Sequence, residues 1–169
     1  MDEKRGADTL LSLVLLLDQM PRNLYREHRD LPLVYRHYDR LSFALVRSSL
    51  ASPVKPMEHA SLMHPLYWTW LLMPLMHSEH LPSHELGIEQ YARWAETNRR
   101  HAEGPSAEYG AKFREGQEGH AEPLRKFGRY PHRNECLGRP SMPEEEEYLE
   151  SADTYGVKQS KTQEAKNEL

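Results

Sequence analysis

The stretch Thr9-Leu10-Leu11-Ser12-Leu13-Val14-Leu15-Leu16-Leu17-Asp18-Gln19-Met20-Pro21-Arg22-Asn23 decides how the rest of the chain is read. Its first nine residues are almost continuously apolar and rich in Leu, a strong helix former, with no alternation of the kind a half-buried strand shows. The spacing predicts a helix over Thr9 to Gln19, capped by Asp8 and ended by Pro21, whose ring removes a backbone donor and disfavours helical geometry in the residue before it. A helix apolar on every side must be covered on every side. Immediately after the apolar run comes a polar cluster, so one short segment carries both a piece of core and a candidate site.

Working outward, a second helix fits Pro32 to Ser49, followed by a turn over Ala51 to Pro56. The block from Leu62 to Met76, rich in Met, Trp and Leu, reads as the centre of the core, with a helix starting at Pro65 and bending or stopping at Pro74. Further helices are predicted from Pro82 or Ser83 to about His101, from Ser106 to Phe127 with Gly110, Gly116 and Gly119 weakening its middle, and from Ser141-Met142-Pro143-Glu144 onward. No run of alternating β-branched residues marks a strand. The fold class is therefore all-α, packed helical hairpins without a β-sheet, forming one domain over 1–157; the almost apolar-free segment 158–169 reads as a disordered tail.

Composition narrows the function. A chain of 169 residues can bury a real core, yet 38% hydrophobic residues against 28% charged, with a mean hydropathy of -0.83, imply a modest core and a heavily solvated surface. Net charge is -4 and basic residues are interleaved with acidic ones, which argues against a nucleic-acid surface. No apolar run approaches the roughly 18 residues needed to span a bilayer. Lys4-Arg5 before the apolar run imitates a signal peptide, but Asp2 and Glu3 cancel the charge and no small-residue cleavage site follows. The ending Lys166-Asn167-Glu168-Leu169 imitates an ER retention signal that matters only after secretion. With one cysteine, Cys136, no internal disulfide can form, and the expected compartment is the reducing cytoplasm.

Three polar clusters interrupt the apolar pattern at helix ends: Asp18-Gln19-Met20-Pro21-Arg22-Asn23, His77-Ser78-Glu79, and Phe127-Gly128-Arg129-Tyr130-Pro131-His132-Arg133-Asn134 with Leu137-Gly138-Arg139. Such loops on a rigid scaffold commonly bind ligands, and the same groups also cap helices and tie loops together. As an anion pocket, Arg22, Arg129, Arg133 and Arg139 offer planar forks, while Asp18, Gln19, Asn23 and Asn134 hold neutral or cationic parts in place. His77, Glu79 and His132 are the candidate catalytic groups. His132 would move protons near neutral pH, and Glu79 would orient a His or Arg or act as a base if its pKa is raised. Equally, Glu79 and Asp18 neutralise the arginines in buried networks.

A metal site from His77, Glu79 and His132 requires the fold to join two distant blocks. The spacing across His77, His80 and His84 is not a zincin pattern, so neither metal nor cofactor is expected. Ser78 cannot form a triad with its immediate neighbours, and no phosphate loop or dinucleotide fingerprint is present.

These blocks, with Met73-Pro74-Leu75-Met76 before His77 and Pro140-Ser141 and Pro143-Glu144-Glu145 at the end, resemble domain-of-unknown-function family 924 of bacteria and fungi. The resemblance covers roughly Leu10 to Val157. It implies a tetratricopeptide-like all-helical fold and no established activity. It also implies an upstream helical block rich in Trp and Phe that has no counterpart here, and His80 and His84 depart from the family pattern. Two functions follow: a protein binding a small anionic molecule, with acid–base chemistry, or a non-catalytic helical interaction scaffold. Self-association through Leu10, Leu13, Val14 and Leu17 is expected as cover for the first helix.

Overall fold

A computed structural model of the chain describes residues 3–59, 62, 64–103 and 107–157. Among these every regular element is helical and no strand occurs, so the fold is all-α. Met63, Ser106 and the segment 158–169 lie outside the described residues.

The first helical rod is longer than its sequence suggests. It comprises α1 (Glu3–Val14), a π-helical turn (Leu15–Gln19) and α2 (Met20–Leu24). Asp8 does not cap it but lies inside, paired with Lys4 at 2.6 Å one turn earlier. Pro21 does not end it either. The preceding turn widens, with Met20 N–H bonded to the carbonyl of Leu15, and Pro21 then occupies the first turn of α2, where a missing donor costs little.

A second rod repeats the device: α3 (Leu31–Leu33), a π-helical turn (Val34–Tyr38) and α4 (Asp39–Ala51). After a short 3-10 turn (Pro56–Glu58) come α5 (Pro65–Met76), α6 (Leu81–Thr97), α7 (Arg99–Ala102) and α8 (Ala107–Phe127). A second 3-10 turn (Pro131–Arg133) and α9 (Pro143–Leu149) complete the described chain.

α5 is the central element, packed on α1, α4, α6 and α8. It continues through Pro74 to Met76. Its Trp68 stacks on Trp94 of α6 at 5.7 Å between centroids, and Leu71, Leu72 and Leu75 are fully buried in one apolar cluster running from Ala7 to Phe113. Two glycines of α6 and α8 serve packing: a Cβ on Gly110 would fall 2.7 Å from the Tyr91 hydroxyl, and one on Gly87 2.7 Å from the Gln117 amide. The helix-weakening effect of Gly110 is thereby offset by close approach of α8 to α6.

The face expected to self-associate is split. Leu10 and Val14 are buried in the chain's own core, Leu17 is half-buried, and only Leu13 is exposed, at 38%. The outward side of the first rod instead carries Leu13, Leu16, Met20 and Leu24. The apolar circumference inferred from the sequence is therefore only partly covered. No described helix is long and apolar enough to cross a membrane.

Candidate functional site

Three features bring the polar clusters together. The first rod presents Asp18 and Arg22 on its inner side, the second presents Tyr35, Asp39, Arg40 and Phe43 one turn apart, and the link from α5 to α6 presents His77, Ser78 and Glu79. The tract after α8 closes over them. It leaves the helix at Gly128 and turns again at Gly138, whose φ values of 71° and 66° fall in the left-handed region glycine adopts without strain.

Asp18 is fully buried, and its Oδ1 lies 2.7 Å from His77 Nδ1. Burial pushes the carboxyl up, but the neighbouring His77 and Arg22, with the Gln19 amide, outweigh it and hold the pKa below the ordinary value. An ionised carboxylate only accepts, so His77 Nδ1 carries the proton and Nε2 is left with its lone pair in the neutral ring. Arg22 donates to Asp39 Oδ1 at 2.6 Å and stands 3.7 Å from Asp18. Arg133 stands 3.6 Å from Asp39 on the other side.

Glu79 belongs to an adjoining network. Arg139 grips it with two bonds of 2.8 and 2.9 Å, and Tyr130 N–H adds a third at 2.8 Å. Burial raises its pKa, but those donors and the charge of Arg133 reverse the sign, so it stays an occupied carboxylate rather than a raised-pKa base. It neutralises an arginine, one of the alternatives its sequence allowed.

His132 does not have the properties of a proton carrier near neutral pH. It is 6% exposed, stacks on Tyr130 at 5.4 Å and meets Tyr155 edge-on at 5.3 Å. Burial, then the charges of Arg133, His120, Arg139 and Arg22, press its pKa down to about 2. It is a neutral packing group behind the site.

Arg129 and Asn134 are also elsewhere. They converge on the buried carboxylate of Glu145, with Arg129 at 2.6 and 2.7 Å and Asn134 at 3.1 Å, and they pin α9 to the tract. Asn23 is exposed and donates to the Gln19 carbonyl of its own helix at 2.9 Å. Gln19 touches Asp18 and the Met73 sulfur, supporting the site from behind. Ser78 is not paired with His77; its hydroxyl accepts from His80 N–H at 3.2 Å. Among the described residues no group of three or more His, Cys, Asp or Glu side chains is placed to hold a metal.

Tyr35, Asp39, Arg40, Phe43, His77, Ser78, Glu79 and Arg133 line a cleft of about 250 Å³. Sequence reasoning overlooked the four contributed by the second rod. Their spacing, with Tyr35, Asp39 and Phe43 four apart, reads as a packing stripe; the one legible signal was an acidic residue on that stripe. Two larger grooves, of about 500 and 600 Å³, run along α1. Among their lining side chains only Lys4, Arg5 and Asp8 are charged, whereas the smaller cleft is lined by Asp39, Arg40, His77, Glu79 and Arg133, with the buried Asp18 behind His77.

A family model described as a bacterial protein of unknown function (DUF924) matches residues 1–153, and the chain belongs to that family. Among solved structures it is similar to a protein of unknown function, ATU0120, from Agrobacterium tumefaciens, at 25% identity and a TM-score of 0.64. That similarity covers 89% of this chain and 72% of that one. No curated protein matches the sequence.

Proposed function

We propose that this DUF924 protein binds a small anionic molecule in the cleft formed by its second π-turned rod, the α5–α6 link and Arg133, and exchanges a proton with it through His77. The observation that carries the reading is the Asp18–His77 pair: a fully buried carboxylate fixing an imidazole on the wall of an open cleft. That arrangement fixes the tautomer and aligns the ring. Two further features support it. π-turns are rare and concentrate at functional sites, and here one carries Asp18 and the other Tyr35. Charges near the cleft sum to a positive excess, since Arg22, Arg40, Arg133 and Arg139 face Asp18, Asp39 and Glu79. Having a single cysteine fits a cytoplasmic setting for this chemistry.

The experiment is a metabolite-binding screen followed by NMR of the histidine ring signals. Anionic ligands are expected to shift His77, and Asp18→Asn is expected to change its tautomer balance and weaken the response. Anions that shift only signals remote from His77 overturn the reading.

A second reading, a non-catalytic helical scaffold, is favoured by the outward Leu13, Leu16, Met20 and Leu24, which are 38–67% exposed. Under it the Asp18–His77 pair is a structural tie, and a second copy of the chain covers the stripe.

A further inference from the structure

Arg133 is in an unusual state for a buried cation. Its side chain is 7% exposed, yet among the described residues its guanidinium makes no hydrogen bond. The nearest carboxylate oxygen, Asp39 Oδ2, is 3.6 Å away, too far for one, and Arg133 Nε is buried without an acceptor. The guanidinium carbon instead sits over two rings, 4.2 Å from the centre of Tyr35 and 4.5 Å from that of Tyr130. Rings hold a guanidinium by its face, so its hydrogen-bonding edge stays available, and Arg133 is a wall of the cleft. A desolvated donor edge with no acceptor is costly unless something that is not always present supplies one.

We propose that the cleft takes a small monocarboxylate, received on the edge of Arg133 and drawn in by Arg40, with its apolar body against Tyr35 and Phe43. This rests on the reading of the cleft as a small-anion site and adds the class of anion. Carboxylate oxygens match the spacing of a guanidinium fork. Charge then selects among oxyanions. Arg22 and Arg133 flank Asp39, Arg139 holds Glu79 and Asp18 faces Arg22, while Arg40 has no ion-pair partner among the described residues. The surplus is one positive charge, which a monoanion balances. A phosphomonoester dianion would leave net negative charge beside Asp39 and Glu79. Size agrees: about 250 Å³ is the space of roughly eight water molecules at about 30 Å³ each, enough for a few carbons and a carboxylate.

The test titrates the full chain with propionate, isobutyrate and benzoate, and in parallel with inorganic phosphate, methyl phosphate and the neutral isostere propionamide, at low ionic strength. NMR follows the Arg133 Nε–H and the His77 ring. A carboxylate is expected to move both signals and propionamide neither. Arg40→Gln, at an exposed position that leaves the core intact, is expected to weaken carboxylate binding about 3- to 10-fold, and Arg133→Lys, which keeps the charge but loses the fork, by at least about 10-fold. Should Arg133→Lys fail to fold, Arg40→Gln alone decides. If phosphates move both signals and carboxylates do not, the monocarboxylate class is wrong while the small-anion site stands. Equal response to propionate and propionamide, or unchanged carboxylate affinity in the folded variants, also overturns it. If no anion moves either signal, the broader reading of the cleft fails with it.

Discussion

Arg129 and Arg133 lie four residues apart in one short tract, and the fold treats them in opposite ways. Arg129 closes a knot: it grips Glu145 with two bonds and donates a third to the Pro140 carbonyl at 3.0 Å, while Glu145, fully buried, also accepts from Met142 N–H at 2.8 Å. In that knot the carboxylate is saturated, and its effect is to hold α9 against the tract. Arg133, more deeply buried than the partly exposed Arg129, makes no hydrogen bond from its guanidinium and faces a cleft with His77 on its wall. Buried polar groups in a folded protein are nearly always satisfied, so the difference separates a residue that holds the fold from one kept for something else. Residue type alone would not have made that separation.

The largest expected effect concerns acid, and it bears on the packing behind the open half. Burial first, and then the charge of His77, press the pKa of His120 down to about 3, and His132 sits at about 2. Unfolded, both rings take up protons near pH 6.5. Below that value the unfolded chain binds protons the folded chain refuses, so stability falls as pH falls, and the loss continues until the folded pKa values are reached. Between pH 7.5 and 5 each ring accounts for ~2 kcal/mol, or ~4 kcal/mol together. The carboxylates add nothing in that window. Asp18, Glu79 and Glu145 have lowered pKa values, so their contribution is present above the ordinary carboxylate range and is lost only at still lower pH. Urea unfolding at pH 7.5 and 5 checks this, with His132→Gln and His120→Gln each removing a comparable share of the change and the buried His84, whose pKa burial also lowers, adding in the same direction. A flat profile would mean that both rings titrate in the folded state and that water reaches behind the cleft.

The next effect tests the two arginine centres directly. Glu145→Ala removes a fully buried acceptor and leaves the Arg129 fork, Met142 N–H and the Asn134 amide without it, a loss of about 3 kcal/mol. Arg133→Met keeps the volume, leaves Asp39 paired with Arg22, and removes a cation whose burial is poorly compensated; the expected change is within about 1 kcal/mol. Chemical denaturation of both variants measures the contrast. A loss from Arg133→Met as large as that from Glu145→Ala would make Arg133 a structural residue and erase the distinction.

Much of this was legible beforehand, for reasons that also mark where legibility stopped. The Leu-rich run and the Trp–Met block announce packed helices, and the motif blocks match a family. The polar motif blocks carrying Asp18, Arg22, His77, Glu79, Arg133 and Arg139 were legible as clusters, although Asp18 lies inside the continuous first rod and not at its end. What the sequence could not convey was pairing at a distance. The choice of Glu145 by Arg129 and of two tyrosine rings by Arg133 depends on where α9 and the second rod come to lie. Asp39 and Tyr35 were hidden inside a helix with ordinary packing spacing. The π-turn before Pro21 was hidden because a proline at that point normally signals an end, and only the widened turn lets the rod continue to Leu24.

The smallest expected effect on stability separates interior from surface on the first rod. Leu16 is 55% exposed and Leu13 38%, whereas Val14 between them is fully buried. Leu16→Glu is therefore expected to change the unfolding free energy by less than about 0.5 kcal/mol, while Val14→Ala, which opens a cavity in the core cluster, is expected to cost about 2 kcal/mol. This asymmetry makes Leu16→Glu a clean probe of assembly, because the monomer's own fold is indifferent to it. If a second copy covers the outward stripe, sedimentation of the wild type shows a dimer that Leu16→Glu disperses without loss of helicity. A wild type that sediments as a monomer at every concentration leaves Leu13, Leu16, Met20 and Leu24 as solvated surface, and the scaffold reading then loses the observation that favours it.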